Sequence, residues 1–114
     1  MAHTIHHAMS SVDKFGGVVD DYLPIHQWFD ASKEFFGDVR HRAVRHHSQG
    51  IFESERVFGV TITNSDGKTV PVRFIGEQHM IEDFGKIPTL QDWLQELPQK
   101  GWMCRSKPLS KKYA

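Results

Sequence analysis

Arg40–Phe58 reads RHRAVRHHSQGIFESERVF, and its reading decides the fold. It holds three of the chain's eight histidines, His41, His46 and His47. Val44, Ile51 and Phe58 recur at seven-residue spacing, which returns side chains close to one face of a helix. At about 100° per residue, Val39, Ala43 and Val57 fall on the flank of that arc. The spacing predicts one helix over the whole stretch, with His47 inside the apolar arc, His46 at its edge and His41 well round the cylinder. One buried imidazole follows. A rigid three-histidine cluster from this helix alone does not, because five- and six-residue spacings do not stack.

Upstream, HTIHHAMSSVDKF over residues 3–15 predicts a short helix with Ile5, Ala8, Met9 and Val12 inward, ended by Gly16-Gly17. His3, His6 and His7 lie where a terminus frays. PIHQWFDASKEFF predicts a second main helix opening on Pro24, a favourable first-turn residue. Its stripe is Ile25, Trp28, Phe29, Ser32, Phe35 and Phe36. Asp38 is placed to cap the histidine helix.

Downstream, Val60 and Ile62 alternate with threonines, and Val70, Val72 and Phe74 alternate with Pro71 and Arg73. Asn64-Ser65-Asp66-Gly67 between them is turn chemistry, so a β-hairpin is expected. Pro71 makes its strand an edge. EQHMIEDF predicts a helical turn or two, with Met80, Ile81 and Phe84 inward. LQDWLQEL predicts a short C-terminal helix with Thr89 and Asp92 as a reciprocal cap. The expected fold is therefore α+β: a small single domain over residues 1–98 with two main helices, a hairpin and a short C-terminal helix. Residues 99–114 form a basic tail, mobile apart from Trp102-Met103, which can dock back on the core.

Composition bounds the function. The chain has 114 residues, enough for one core. Lys+Arg and Asp+Glu both number 14, so no global field attracts nucleic acid. The five basic residues from Lys100 onward allow at most a weak backbone contact through the tail. One cysteine, Cys104, excludes an internal disulfide framework and fits a reducing cytoplasm. No membrane span or signal segment is present in the sequence.

Eight histidines are about three times ordinary usage. Imidazole is the commonest metal ligand and the natural proton carrier near neutral pH. His26, His41, His46, His47 and His79, with Asp30, Asp83, Glu53, Glu55 and Glu77, can assemble a site of two or three histidines and a carboxylate. That mixture suits a divalent ion: Zn, or Fe, Mn or Ni. His26–Asp30 and His79–Asp83 each have one-turn spacing, which puts both groups on one side of a helix. In a hydrolase, His47 and Asp83 are the expected catalytic pair, and Arg42 and Arg45 the clamp on an anionic group. No HExxH or paired CxxC occurs. The competing reading is plain: His26 and His41 solvated, His47 hydrogen-bonded in the core, and the His–Asp pairs mere surface contacts.

Three stretches, YLPIHQWFDASK, HRAVRHHSQGIF and FGVTITNSDGKTVPVRFIGEQHMIEDFGKIPTLQDWL, together resemble an uncharacterised family of small phage and bacterial proteins, known only as a domain of unknown function. The resemblance spans about residues 13–103. It implies no activity, but it directs attention to His26, His41, His46, His47 and His79, which lie within the matching stretches. Two functions follow as expectations. One is a small histidine-rich metal-binding domain, in its sharper form a metal-dependent hydrolase of a phosphorylated or nucleotide substrate. The other is a non-enzymatic phage-type inhibitor of a host protein, acting in the cytoplasm of a bacterium or an infected cell. Edge pairing and aromatic excess add a homodimer.

Overall fold

A computed structural model describes residues 3–105 of the chain. Six helices, two 3-10 segments and one two-stranded sheet follow one another in it. The helices are α1 (Thr4–Phe15), α2 (Val19–Asp30), α3 (Ser48–Phe58), α4 (Val72–Phe84), α5 (Leu90–Leu94) and α6 (Gly101–Cys104). The strands are β1 (Thr61–Thr63) and β2 (Thr69–Pro71), antiparallel with Ile62 opposite Val70. The α+β expectation holds, with the helices dominant.

Helix α4 is the pivot, because α1, α2 and α3 all pack on it. Its inward face is Val72, Ile75, Gly76, His79 and Met80, a helical period of three and four. A Cβ on Gly76 would lie 3.0 Å from Phe29 Cζ and 3.1 Å from Ile51 Cγ1. Glycine there brings α4 against both α2 and α3. The apolar core is Ala8, Tyr22, Ile25, Phe29, Ile51, Val70, Val72, Ile75 and Met80.

The polar residues buried among the described ones outnumber those nine, and six of them are histidines: His7, His26, His41, His46, His47 and His79. Burying polar groups without partners costs several kcal/mol each. Such an interior therefore requires a compensating arrangement.

The structure corrects several expectations. Arg40–Phe58 is not one helix: Val39–Val44 is a 3-10 segment and α3 begins only at Ser48. The break is made by His47, extended at φ −162°, whose Nδ1 accepts from Gly50 N at 3.0 Å. An imidazole acceptor can cap a helix as an Asn or Asp oxygen does. Asp38 caps as expected, but it caps the 3-10 segment.

Pro24 lies inside α2 and not in its first turn. The helix starts earlier because Asp21 Oδ2 accepts from Val18 N at 2.8 Å and Ser65 N at 2.9 Å. α2 ends at Asp30 in a 3-10 turn, which leaves Phe35 88% exposed and outside the expected stripe. Val72 and Phe74 belong to α4, not to a strand, since β2 stops at Pro71. His7 is fully buried, not frayed. In α6 Trp102 is 72% exposed and does not dock on the core. The remainder of the basic tail, from residue 106, lies outside the described residues.

Asn64 ties the hairpin to the helices. Its Nδ2 donates to Phe15 O (3.0 Å) and Tyr22 Oη (3.1 Å), and its Oδ1 accepts from Asp66 N and Lys68 N. Asn64→Ala is expected to cost about 2–3 kcal/mol, because it leaves buried partners unsatisfied. Urea denaturation checks this, and a loss under about 0.5 kcal/mol would show that water replaces the side chain there.

Candidate metal centre

Three separate segments deliver four side chains to one point. Helix α4 supplies His79 and Asp83, one turn apart. The end of α2 supplies Asp30. The turn before α3 supplies His46, held by its carbonyl, which accepts from Trp93 Nε1 at 2.9 Å. Candidate ligand atoms of these four all lie within 4.8 Å of one another.

The spacing is narrower than that limit. His46 Nε2 lies 3.1 Å from Asp30 Oδ1 and 3.4 Å from Asp83 Oδ2. His79 Nε2 lies 3.4 Å from Asp30 Oδ1 and 3.3 Å from Asp83 Oδ2. The two imidazole nitrogens are 3.2 Å apart. A tetrahedral ion with bonds of about 2.0–2.1 Å spaces its ligands about 3.3–3.4 Å apart, by simple geometry. Five of the six edges therefore fit one small ion.

Polar bookkeeping agrees. Both oxygens of Asp30 and both of Asp83 are buried without a well-formed hydrogen bond, and the groups nearest them are imidazole nitrogens. The side chains of His46, His79 and Asp83 are fully shielded, and that of Asp30 is 5% exposed. Two carboxylates in such a place need positive charge. Burial alone raises Asp30, but His46 and His79 facing it more than offset this and hold its carboxyl well below the usual range. Asp83 behaves alike: burial raises it, and His46, His7 and His79 pull it far lower. Both carboxyl groups are thus held toward the anionic form, which suits a cation between them.

Around these four stand supporting groups. His7 stacks on His79 with ring centroids 3.9 Å apart. Its Nδ1 is 2.7 Å from Glu82 Oε1, and its Nε2 is 3.2 Å from Asp83 Oδ1. Burial lowers His7, yet Asp83 and Glu82 prevail and raise it above the ordinary imidazole value. Arg42 Nη2 stands 3.7 Å from the same Asp83 oxygen, with its guanidinium 4.9 Å from the Phe84 ring centroid.

His7, His26 and His79 form a second close group. The rings of His7 and His79 are stacked there, however, and His26 Nδ1 to His79 Nδ1 is 2.9 Å. That is a hydrogen-bond length, shorter than a tetrahedral edge. Burial, with repulsion from His79 and His7, pushes His26 down to about 2, so it is neutral.

The other expected residues are placed elsewhere. His47 Nε2 donates to Ala43 O at 3.0 Å while Nδ1 caps α3, so both nitrogens serve the backbone. His41 is buried with Nδ1 2.9 Å from Ser32 Oγ, its ring perpendicular to that of His46 at 5.7 Å. Arg45 donates to Trp28 O at 2.6 Å and lies over the Trp28 ring. Glu53, Glu55 and Glu77 lie outside both histidine groups.

Sequence reasoning missed His7, Ser11, Gln78 and Glu82. The signal was present in α1, where His7 and Ser11 share the face of Ala8 and are all fully buried. No helix is long and apolar enough to cross a membrane. A family model described as "Domain of unknown function" (DUF6915) matches residues 2–103. Neither the curated proteins nor the solved structures gave a match to this chain.

Proposed function

The chain belongs to the DUF6915 family, and we propose that it is a metal-binding domain holding one divalent ion between Asp30, His46, His79 and Asp83. The observation that carries the reading is the near-tetrahedral spacing of four buried ligand atoms from three segments. Zinc is the first candidate; iron, manganese and nickel also accept imidazole and carboxylate. With four protein ligands and shielded side chains, the arrangement favours an ion that locks α2, α4 and the turn before α3 together.

A hydrolytic role on a phosphorylated or nucleotide substrate would require a further coordination position and an approach to it. Among the described residues, Arg42 beside Asp83 is the basic group at the site that suits such a substrate, since Arg45 is engaged by Trp28.

Elemental analysis of untagged protein is expected to give about one ion per chain. His79→Ala and Asp83→Ala are expected to lose it. His47→Ala is expected to keep it while losing about 1 kcal/mol of stability through the missing cap. Metal-free wild-type protein after growth in supplemented medium, failing also to take up zinc or iron in vitro, would sink the proposal.

A second reading rests on exposed apolar surface. An open groove of about 460 Å³ is walled by Phe36, Ala43, Val44, Trp93 and Leu97. Surface of this kind suits a protein partner, a host protein or a second copy of the chain. Analytical ultracentrifugation and pull-down from host lysate separate those two outcomes from a monomer that binds neither.

A further inference from the structure

We propose that Gln78, Ser11 and His26 form a buried positioning chain that fixes the tautomer of His79, so that its Nε2 lone pair, and not a proton, faces the metal centre. This rests on the metal-binding reading and assigns a role to three residues that are not ligands.

The argument starts at the far end. Gln78 Nε2 lies 2.9 Å from the His7 carbonyl and 3.1 Å and 3.2 Å from the Glu82 oxygens. A carbonyl only accepts, so this end of the amide is its NH2 and the other its oxygen. Gln78 Oε1 then sits 2.7 Å from Ser11 Oγ and must receive the hydroxyl proton. Ser11 Oγ also lies 3.1 Å from the His7 carbonyl, a longer contact to an oxygen that Gln78 Nε2 already serves; with its one proton given to Gln78, the Ser11 oxygen accepts from His26 Nε2 at 2.8 Å. His26 is fully buried and pairs with no carboxylate among the described residues, so it holds a single proton, on Nε2, and leaves Nδ1 bare. Nδ1 lies 2.9 Å from His79 Nδ1 and can only accept. His79 therefore carries its proton on Nδ1, and its Nε2 presents a lone pair toward His46, Asp30 and Asp83.

With the hydroxyl proton directed to Gln78 Oε1, the nearer of its two oxygen acceptors, the direction runs from the His7 carbonyl to the centre. The alternative tautomer of His79 would point an N–H at the place where the ion binds. It would also leave two bare Nδ1 atoms facing each other, or reverse every bond of the chain and set Gln78 Oε1 against the His7 carbonyl and the Glu82 oxygens. Histidine ligands are commonly oriented in this way by a group on the other nitrogen, and removing that group typically weakens metal binding about 10- to 100-fold. Here the orienting group is itself an imidazole, so its own tautomer has to be fixed, and that is what Ser11 and Gln78 supply.

The test uses the full chain. Long-range proton–nitrogen NMR on uniformly labelled wild-type protein, metal-free and zinc-loaded, is expected to show His79 protonated on Nδ1 in both states. A proton on His79 Nε2 in the metal-free protein overturns the proposal, whether or not zinc binds. Zinc and cobalt titration of Ser11→Ala and Gln78→Leu, checked for folding by circular dichroism, is expected to show affinity lower by about 10- to 100-fold. Ser54→Ala removes a comparably buried hydroxyl, bonded to the Ile51 carbonyl at 2.6 Å, and is expected to lower stability without changing affinity. Affinity in folded Ser11→Ala within about threefold of wild type overturns the chain's role. Wild-type protein that binds neither ion defeats the metal reading instead, and the tautomer measurement then judges the chain by itself.

Discussion

Stripping the ion from wild-type protein with a chelator is expected to lower its melting temperature by about 10 °C or more, and adding it back to restore the loss. An ion that binds only the folded state adds about 2.7 kcal/mol when its free concentration is one hundred times the dissociation constant. For a domain near one hundred residues, 1 kcal/mol moves the midpoint by about 4 °C or more. The structural cause is specific. Without an ion, Asp30 and Asp83 keep four buried oxygens with no well-formed hydrogen bond, beside a His79 nitrogen that the proposed tautomer leaves without a proton. Calorimetry with and without chelator decides it. A midpoint unmoved in protein shown to hold its ion before, and to lack it after, would mean that the site does not bind the helices together.

Gly50→Ala is expected to be the most damaging single methyl in the chain, costing about 4 kcal/mol or more, in the range of the severest point substitutions. A Cβ at this position would lie 1.8 Å from the Arg45 carbonyl oxygen and 2.6 Å from its carbon. Both are main-chain atoms, which cannot swing aside. The clash would push Arg45 and His46 away from α3, and it would also disturb the bond from Gly50 N to His47 Nδ1. His46 Nε2 is a member of the candidate site, so metal content is expected to fall along with stability. Gly37, whose added Cβ would meet nothing within 4 Å, is the control; alanine there is expected to change stability by about 0.5 kcal/mol or less. Urea melts of both variants, with elemental analysis, measure the contrast. Gly50→Ala protein with wild-type stability would show that the approach of α3 to Arg45 is looser than drawn.

Much of this was legible in residue order. The His79–Asp83 spacing placed both groups on one side of a helix, and both reach the same point. Asn64–Gly67 announced the hairpin, and Thr89 with Asp92 announced the cap of α5. What failed did so for identifiable reasons. The seven-residue recurrence of Val44, Ile51 and Phe58 disregarded the capacity of His47 to act as a cap, so a turn was read as helix. The alternation of Val70, Val72 and Phe74 fits a strand, yet Val72, Ile75, Gly76, His79 and Met80 form a longer and better-buried helical series. Burial of more residues outweighed three alternating ones. His7 was discounted by its nearness to a terminus, a rule that fails when the terminal helix is docked through a polar face. The meeting of Asp30 with His46 depends on the path between α2 and α3, which local spacing does not encode.

The separation of the ligands along the chain has a bearing on biosynthesis. Asp30 emerges first, His46 next, and the pair on α4 only when residue 83 of 114 has been made. A nascent or truncated polypeptide ending in the hairpin holds two of the four donors, arranged about nothing. On the proposed metal-binding reading, capture of the ion is therefore deferred until α4 has formed against its neighbours. Fragments that stop short of it are exposed to quality control as unliganded species, however much helix they already contain.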